Sequence, residues 1–198
     1  NACMNAALEQ FGCSPITAGQ TRRYVGNGGL LFATRALPES ERQNAEYFYK
    51  NVYCPIHVRC KNEHTKMFAG EEDCLRALKR EGIKLAVVTN KSQEAADVLA
   101  NTLLKPFGFD CVFGNRKGIP VKPDPSSARE VLRLFGVSPS EAVFVGDGET
   151  DVQTAKNAGL HSVSVLWGYR SKEELAAAGA ERFAESFAQL KEILLSYR

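Results

Sequence analysis

The stretch Ala142-Val143-Phe144-Val145-Gly146-Asp147-Gly148-Glu149-Thr150-Asp151 decides the fold. Four apolar residues in a row, two of them β-branched, read as a strand buried on both faces. Glycine and acidic residues follow at once, and then a helical pattern over 150–158 closed by Gly159. A second apolar run, SVSVL (162–166), completes a strand–helix–strand unit. Upstream the same grammar repeats. A helix over 71–81 ends at Gly82 and leads to the strand KLAVVT (84–89). A helix over 92–104, a short strand around 111–113 and a helix over 126–135 come next. Phe187, Leu190, Ile193 and Leu194 predict a C-terminal amphipathic helix. Alternating strands and helices with doubly buried strands predict an α/β fold: a Rossmann-like parallel sheet core with helices on both faces.

The first sixty-odd residues differ in texture. Met4, Ala7, Leu8 and Phe11 recur at helical spacing, and Gly12 ends that run. A short helix is expected over 15–24, then the glycine-rich loop VGNGG (25–29), then helical or irregular chain to Pro38. Ser40 is placed as the cap of a helix carrying Ala45, Phe48 and Tyr49. The boundary falls near residue 66, giving an all-helical part (1–66) and a strand-bearing part (67–198).

The 198 residues carry 25 basic and 23 acidic side chains, a formal net charge of +2, and 44% hydrophobic residues. This is ordinary globular usage, with no like-charge block that would point to nucleic acid or a membrane surface as partner. The opening segment NACMNAALEQFG has neither the basic region nor the long apolar run of a signal peptide. The apolar runs are too short to span a bilayer. Six scattered cysteines without a CxxC are expected to be free thiols in a cytoplasmic protein. Cys54, His57, Cys60 and His64 lie within eleven residues. They read either as a zinc site or as a connector holding two thiols and two imidazoles, and their spacing matches none of the usual paired-ligand patterns.

In open parallel sheets, sites lie at the carboxyl ends of the strands. Three polar groups sit there. Thr89-Asn90-Lys91-Ser92 offers a hydroxyl and backbone N–H groups to an anion, or else simply caps a helix. Lys122-Pro123-Asp124-Pro125 holds a lysine in a stiff loop, where it balances an anion or is merely solvated. Asp147, Glu149 and Asp151 crowd three carboxylates at one strand end. A hard divalent cation would relieve their repulsion; helix capping and dipole charge are the alternative. A hydroxyl, a fixed cation and a metal carboxylate together are the equipment of phosphoryl transfer.

These segments resemble the haloacid dehalogenase superfamily of phosphohydrolases, in its phosphoglycolate phosphatase-like branch. VVTNKS, VKPDP and VFVGDGETDVQTAKNAG are similar to the family's second, third and fourth motifs, the last most closely. NAALEQFG…RRYVGNGG resembles the branch's helical cap, and VLWGYRSKEELAAAGA the segment after its last core strand. The resemblance implies a Mg²⁺-dependent phosphatase of a small phosphorylated metabolite, monomer or homodimer. By it, Thr89 and the Asn90 backbone would hold the phosphoryl group and Lys122 would neutralise its charge. Asp147 would ligate Mg²⁺, and Asp151 would orient metal waters or Lys122. Arg23 and the loop Gly26, Asn27 and Gly28 would face the leaving group.

One departure is large. The family's first motif is a pair of aspartates one residue apart, nucleophile and general acid–base, at the end of the first and central strand. No DxD occurs in this sequence. The chain is therefore expected to be truncated at its amino end by about two dozen residues, on the short connections usual in α/β units. It is also expected to have a gap at the centre of its sheet and to be inactive as it stands. A phosphomutase of the same superfamily, or a non-catalytic phosphate-binding relic, are the other readings.

Overall fold

The computed structural model describes residues 1–60 and 64–197. Helices α1 (Ala2–Gln10), α2 (Ala18–Tyr24) and α3 (Gly29–Ala36) open the chain. A 3₁₀ turn over Glu39–Asn44 leads into α4 (Ala45–Phe48), a π-helical turn (Tyr49–Tyr53) and α5 (Cys54–Arg59), which run on without a break. Their apolar faces meet in one cluster around Met4, Ala7, Leu8, Ala33 and Phe48, all fully buried. Two caps differ from expectation. The second helix starts at Ala18 because Thr17 and Gln20 form a reciprocal capping box. Ser40 caps nothing, since Pro38 starts a 3₁₀ turn instead of an α-helix.

The second part alternates as the sequence predicts. α6 (Glu71–Arg80) precedes β1 (Ala86–Ser92), α7 (Gln93–Asn101) and β2 (Cys111–Asn115). α8 (Ser126–Phe135), β3 (Val143–Gly146), α9 (Glu149–Ala158) and β4 (His161–Val165) follow. α10 (Lys172–Ala177), β5 (Phe183–Ala184) and α11 (Phe187–Leu195) close the chain. β1 runs three residues beyond the expected Thr89. The Gln93 side chain prolongs the pairing with β2, donating to the Val112 carbonyl and accepting from the Gly114 N–H. α7 accordingly begins late, capped by Ser92. β5 escaped the sequence reading, because two residues are too few for a period.

All pairings are parallel: β1 with β2 (Ala86 opposite Cys111), β3 with β4 (Val143 opposite His161), and β4 with β5 (Ser164 opposite Phe183). They form two separate sheets, β1-β2 and β3-β4-β5. Among the described residues β1 and β3 each hydrogen-bond to one neighbour and leave the other edge unpaired. Val145, in the middle of β3, is 38% exposed. A strand expected to be buried on both faces shows such exposure when a neighbour is missing. The separation of β1 from β3 is consistent with the expected gap at the sheet centre.

Candidate active site

The carboxyl ends of β1 and β3, the loop before α8 and the glycine loop of the helical part surround one cavity of about 370 Å³. That volume suits a small molecule. Thr89, Asn90, Lys122, Asp147, Asp151, Gly26 and Gly28 all line it. The three polar groups, distant in sequence, thus converge.

Asn90 ties two of them together. It is buried, its Oδ1 accepts from the Lys122 N–H at 2.8 Å, and its Nδ2 donates to the Lys122 carbonyl at 3.1 Å. The pairing holds the lysine loop against the end of β1 whatever the lysine side chain does. The Lys122 ammonium then donates to Asp151 Oδ1 at 2.6 Å, both side chains being nearly buried (13% and 12% exposed). Asp151 Oδ2 accepts the N–H groups of Asp147 and Gly148, at 3.1 Å each. One carboxylate therefore positions the lysine and closes the turn between β3 and α9. Its approach requires glycine at 146, where a methyl would overlap the Asp151 carboxyl.

Asp147 faces the cavity from the same turn. Its Oδ2 accepts from the Tyr169 N–H at 2.9 Å, and its Oδ1 has no hydrogen bond among the described residues. Gly168 makes room for it, since a methyl there would also overlap the carboxyl. Glu149 turns away to the Arg170 guanidinium, whose Nε donates to both carboxylate oxygens at 2.9 and 3.0 Å. The crowding of three acids is thus relieved by Lys122 and Arg170. Asp147 alone keeps a free oxygen, and no cluster of three or more metal-type ligands forms among the described residues. One hard oxygen donor beside an anion site still suits Mg²⁺, which keeps most of its waters and takes one or two carboxylates.

Thr89 Oγ1 accepts from the Lys91 N–H at 3.2 Å rather than capping α7. The hydroxyl proton stays available to a ligand. Gly26 and Gly28 adopt positive φ (+117° and +97°), which favours glycine and brings bare backbone to the cavity. The Gly26 carbonyl lies 3.5 Å from both Asn90 Nδ2 and Thr150 Oγ1. Arg170 donates to the Val25 carbonyl at 3.3 Å, and Arg22 donates to the Gly168 carbonyl at 2.7 Å.

Not every expected residue arrives. Arg23 is exposed and does not line the cavity. The Asn27 side chain accepts from Arg35 instead. Cys54, His57, Cys60 and His64 do not gather: Cys60 Sγ lies 2.7 Å from Cys3 Sγ, while His57 stacks on Tyr53 and reaches Lys91. All six cysteines are free thiols. The sequence reading missed Arg170, Tyr49, Tyr53, His57 and Lys91 as cavity residues. Lys91 was within reach of it, as the next side chain after Thr89-Asn90; the aromatic residues carried no signal beyond helical spacing.

Residues 1–165 match the family model described as haloacid dehalogenase-like hydrolase. Phosphoglycolate phosphatase 1 of Pseudomonas aeruginosa is 29% identical over 184 residues, covering 88% of this chain and 66% of the relative. Phosphoglycolate phosphatase of Vibrio vulnificus is 30% identical over 196 residues, covering 96% and 86%. The chain thus spans just under two thirds of the length of the Pseudomonas relative. A crystal structure from Lactobacillus delbrueckii subsp. bulgaricus, provisionally named a phosphoglycolate phosphatase, superposes with a TM-score of 0.88 at 29% identity. It covers 98% of this chain and 90% of that one.

Proposed function

The chain belongs to the haloacid dehalogenase-like hydrolases, and from that premise we propose that it is the phosphoryl-binding body of a phosphatase acting on a small phosphate monoester. The convergence of Thr89, Lys122 and Asp147 on one cavity carries this reading. The phosphoglycolate phosphatases among its relatives supply the substrate class, a phosphoglycolate-like ester.

In this reading the Thr89 hydroxyl and the backbone N–H groups beside it hold the phosphoryl oxygens. Lys122, kept in place by Asp151 and Asn90, neutralises their charge. Asp147 offers Oδ1 to Mg²⁺, which when bound supplies further charge neutralisation. The helical part (1–66) acts as a cap over the core (67–198) and excludes bulk water. In-line attack would come from an aspartate on a further strand seated between β1 and β3, forming an aspartyl-phosphate that water then hydrolyses. This chain carries no such pair of aspartates. Alone, it binds phosphate esters and does not turn them over.

The test is phosphate release from 2-phosphoglycolate with Mg²⁺, with and without an added peptide made of an apolar strand closed by Asp-x-Asp. Release only with the peptide is the expected result. With a hexose 1-phosphate offered in its place, an isomerised sugar phosphate without free phosphate would move the protein to the mutases. Binding without turnover in either case would leave a phosphate-binding relic.

A further inference from the structure

Among the described residues three cations line the cavity: Lys122, Arg170 and Lys91. Two of them hold a carboxylate within about 3 Å, Asp151 for Lys122 and Glu149 for Arg170. Lys91 holds none among the described residues. Its side-chain partner is His57 Nε2, at 3.2 Å. Two thiols lie near the lysine, Cys3 and Cys60, their sulfurs 2.7 Å apart. Burial lowers the Lys91 pKa, and burial together with Lys91 and the amino terminus lowers that of His57 to about 4. The uncharged imidazole can accept a hydrogen bond from the ammonium but supplies no negative charge to balance it. A cation half-withdrawn from water without a counter-ion is a costly arrangement for a scaffold to keep. An anionic ligand removes that cost.

We propose that Lys91, held against His57, binds a second anionic group carried on the alcohol side of the phosphate ester, a carboxylate in the first instance. The proposal rests on the phosphatase reading above and deepens it, because it names which end of the cavity selects the substrate. Lys122 and Thr89 take the phosphoryl group, and Lys91 reads what is attached to it. Arg23, expected from the sequence to do this, lies outside the cavity.

The experiment is a calorimetric titration of this chain, in Mg²⁺, with inorganic phosphate, ethyl phosphate and 2-phosphoglycolate. The last two differ by one carboxylate. A charge-assisted contact in a partly dry site predicts that 2-phosphoglycolate binds about tenfold tighter than ethyl phosphate. Lys91→Met should abolish that ratio, and Lys91→Arg should keep part of it. Equal affinity of the two esters in the parent chain would overturn the proposal, whether or not the Met variant folds. So would a preference that survives Lys91→Met. If inorganic phosphate itself fails to bind, the phosphatase reading falls, and the Lys91 proposal with it. If phosphate binds and the ratio is one, only the Lys91 proposal is lost.

Discussion

Replacing Lys122 by Met would strand the Asp151 carboxylate, 12% exposed, with two backbone N–H groups and no cation. Breaking a buried pair from one side costs about 3–5 kcal/mol. The urea midpoint of Lys122→Met should fall accordingly, while Asp151→Asn, which keeps the shape and one acceptor, should lose less. His57 gives a pH signature. Its folded pKa lies near 4, depressed first by burial and then by Lys91 and the amino terminus. The neutral ring is favoured in the fold, so its contribution is fully present above about pH 6.5 and is lost as pH falls toward 4. Discounted for partial exposure, the loss is about 2 kcal/mol. Thermal unfolding of His57→Gln should lack that part of the acid slope. At this scale the sequence named Thr89, Asn90, Lys122, Asp147 and Asp151 for the cavity. Arg23 and Asn27, expected by resemblance to face the leaving group, do not line the cavity in this structure, because the orientation of a helix or loop side chain depends on packing that local spacing does not encode.

Between elements, a clasp of hydrogen bonds joins the helical part to the strand ends. Arg170 reaches from the loop after β4 to the Val25 carbonyl, and Arg22 answers from α2 to the Gly168 carbonyl. Arg170→Ala should speed hydrogen exchange over residues 22–28 several-fold and lower the unfolding temperature little. Such a clasp governs local opening more than global stability. Comparable loss of protection in β3 and β4 would argue against a local role. Gly168→Ala acts on the same junction, since its methyl would overlap the Asp147 carboxyl. The methyl would also collide with Asp147 Cβ, which side-chain rotation cannot move, so the expected outcome is a lowered unfolding temperature together with weakened Mg²⁺ binding. Sequence periodicity placed most helices and strands to within a few residues. It missed β5, which is short, and the extension of β1, which depends on a glutamine side chain standing in for backbone.

For the whole molecule, the division of the sheet into β1-β2 and β3-β4-β5 is the feature that organises everything else. The parallel α/β class was legible from the apolar, β-branched strands, and the gap from the lack of a DxD. How the helical part closes on the strand ends was not legible, because contacts such as Arg22 with Gly168 span well over a hundred residues. No helix among the described residues is long and apolar enough to cross a membrane. On the proposed reading this chain holds a phosphoryl-binding centre and carries neither the nucleophilic aspartate nor its acid–base partner. The most direct measurement pairs two readings on one sample: calorimetric binding of inorganic phosphate in Mg²⁺, and phosphate release from 2-phosphoglycolate. One saturable phosphate site is expected, lost in Lys122→Met, with no release above the uncatalysed rate. Absence of saturable binding, or turnover by this chain unaided, would contradict the phosphoryl-binding reading.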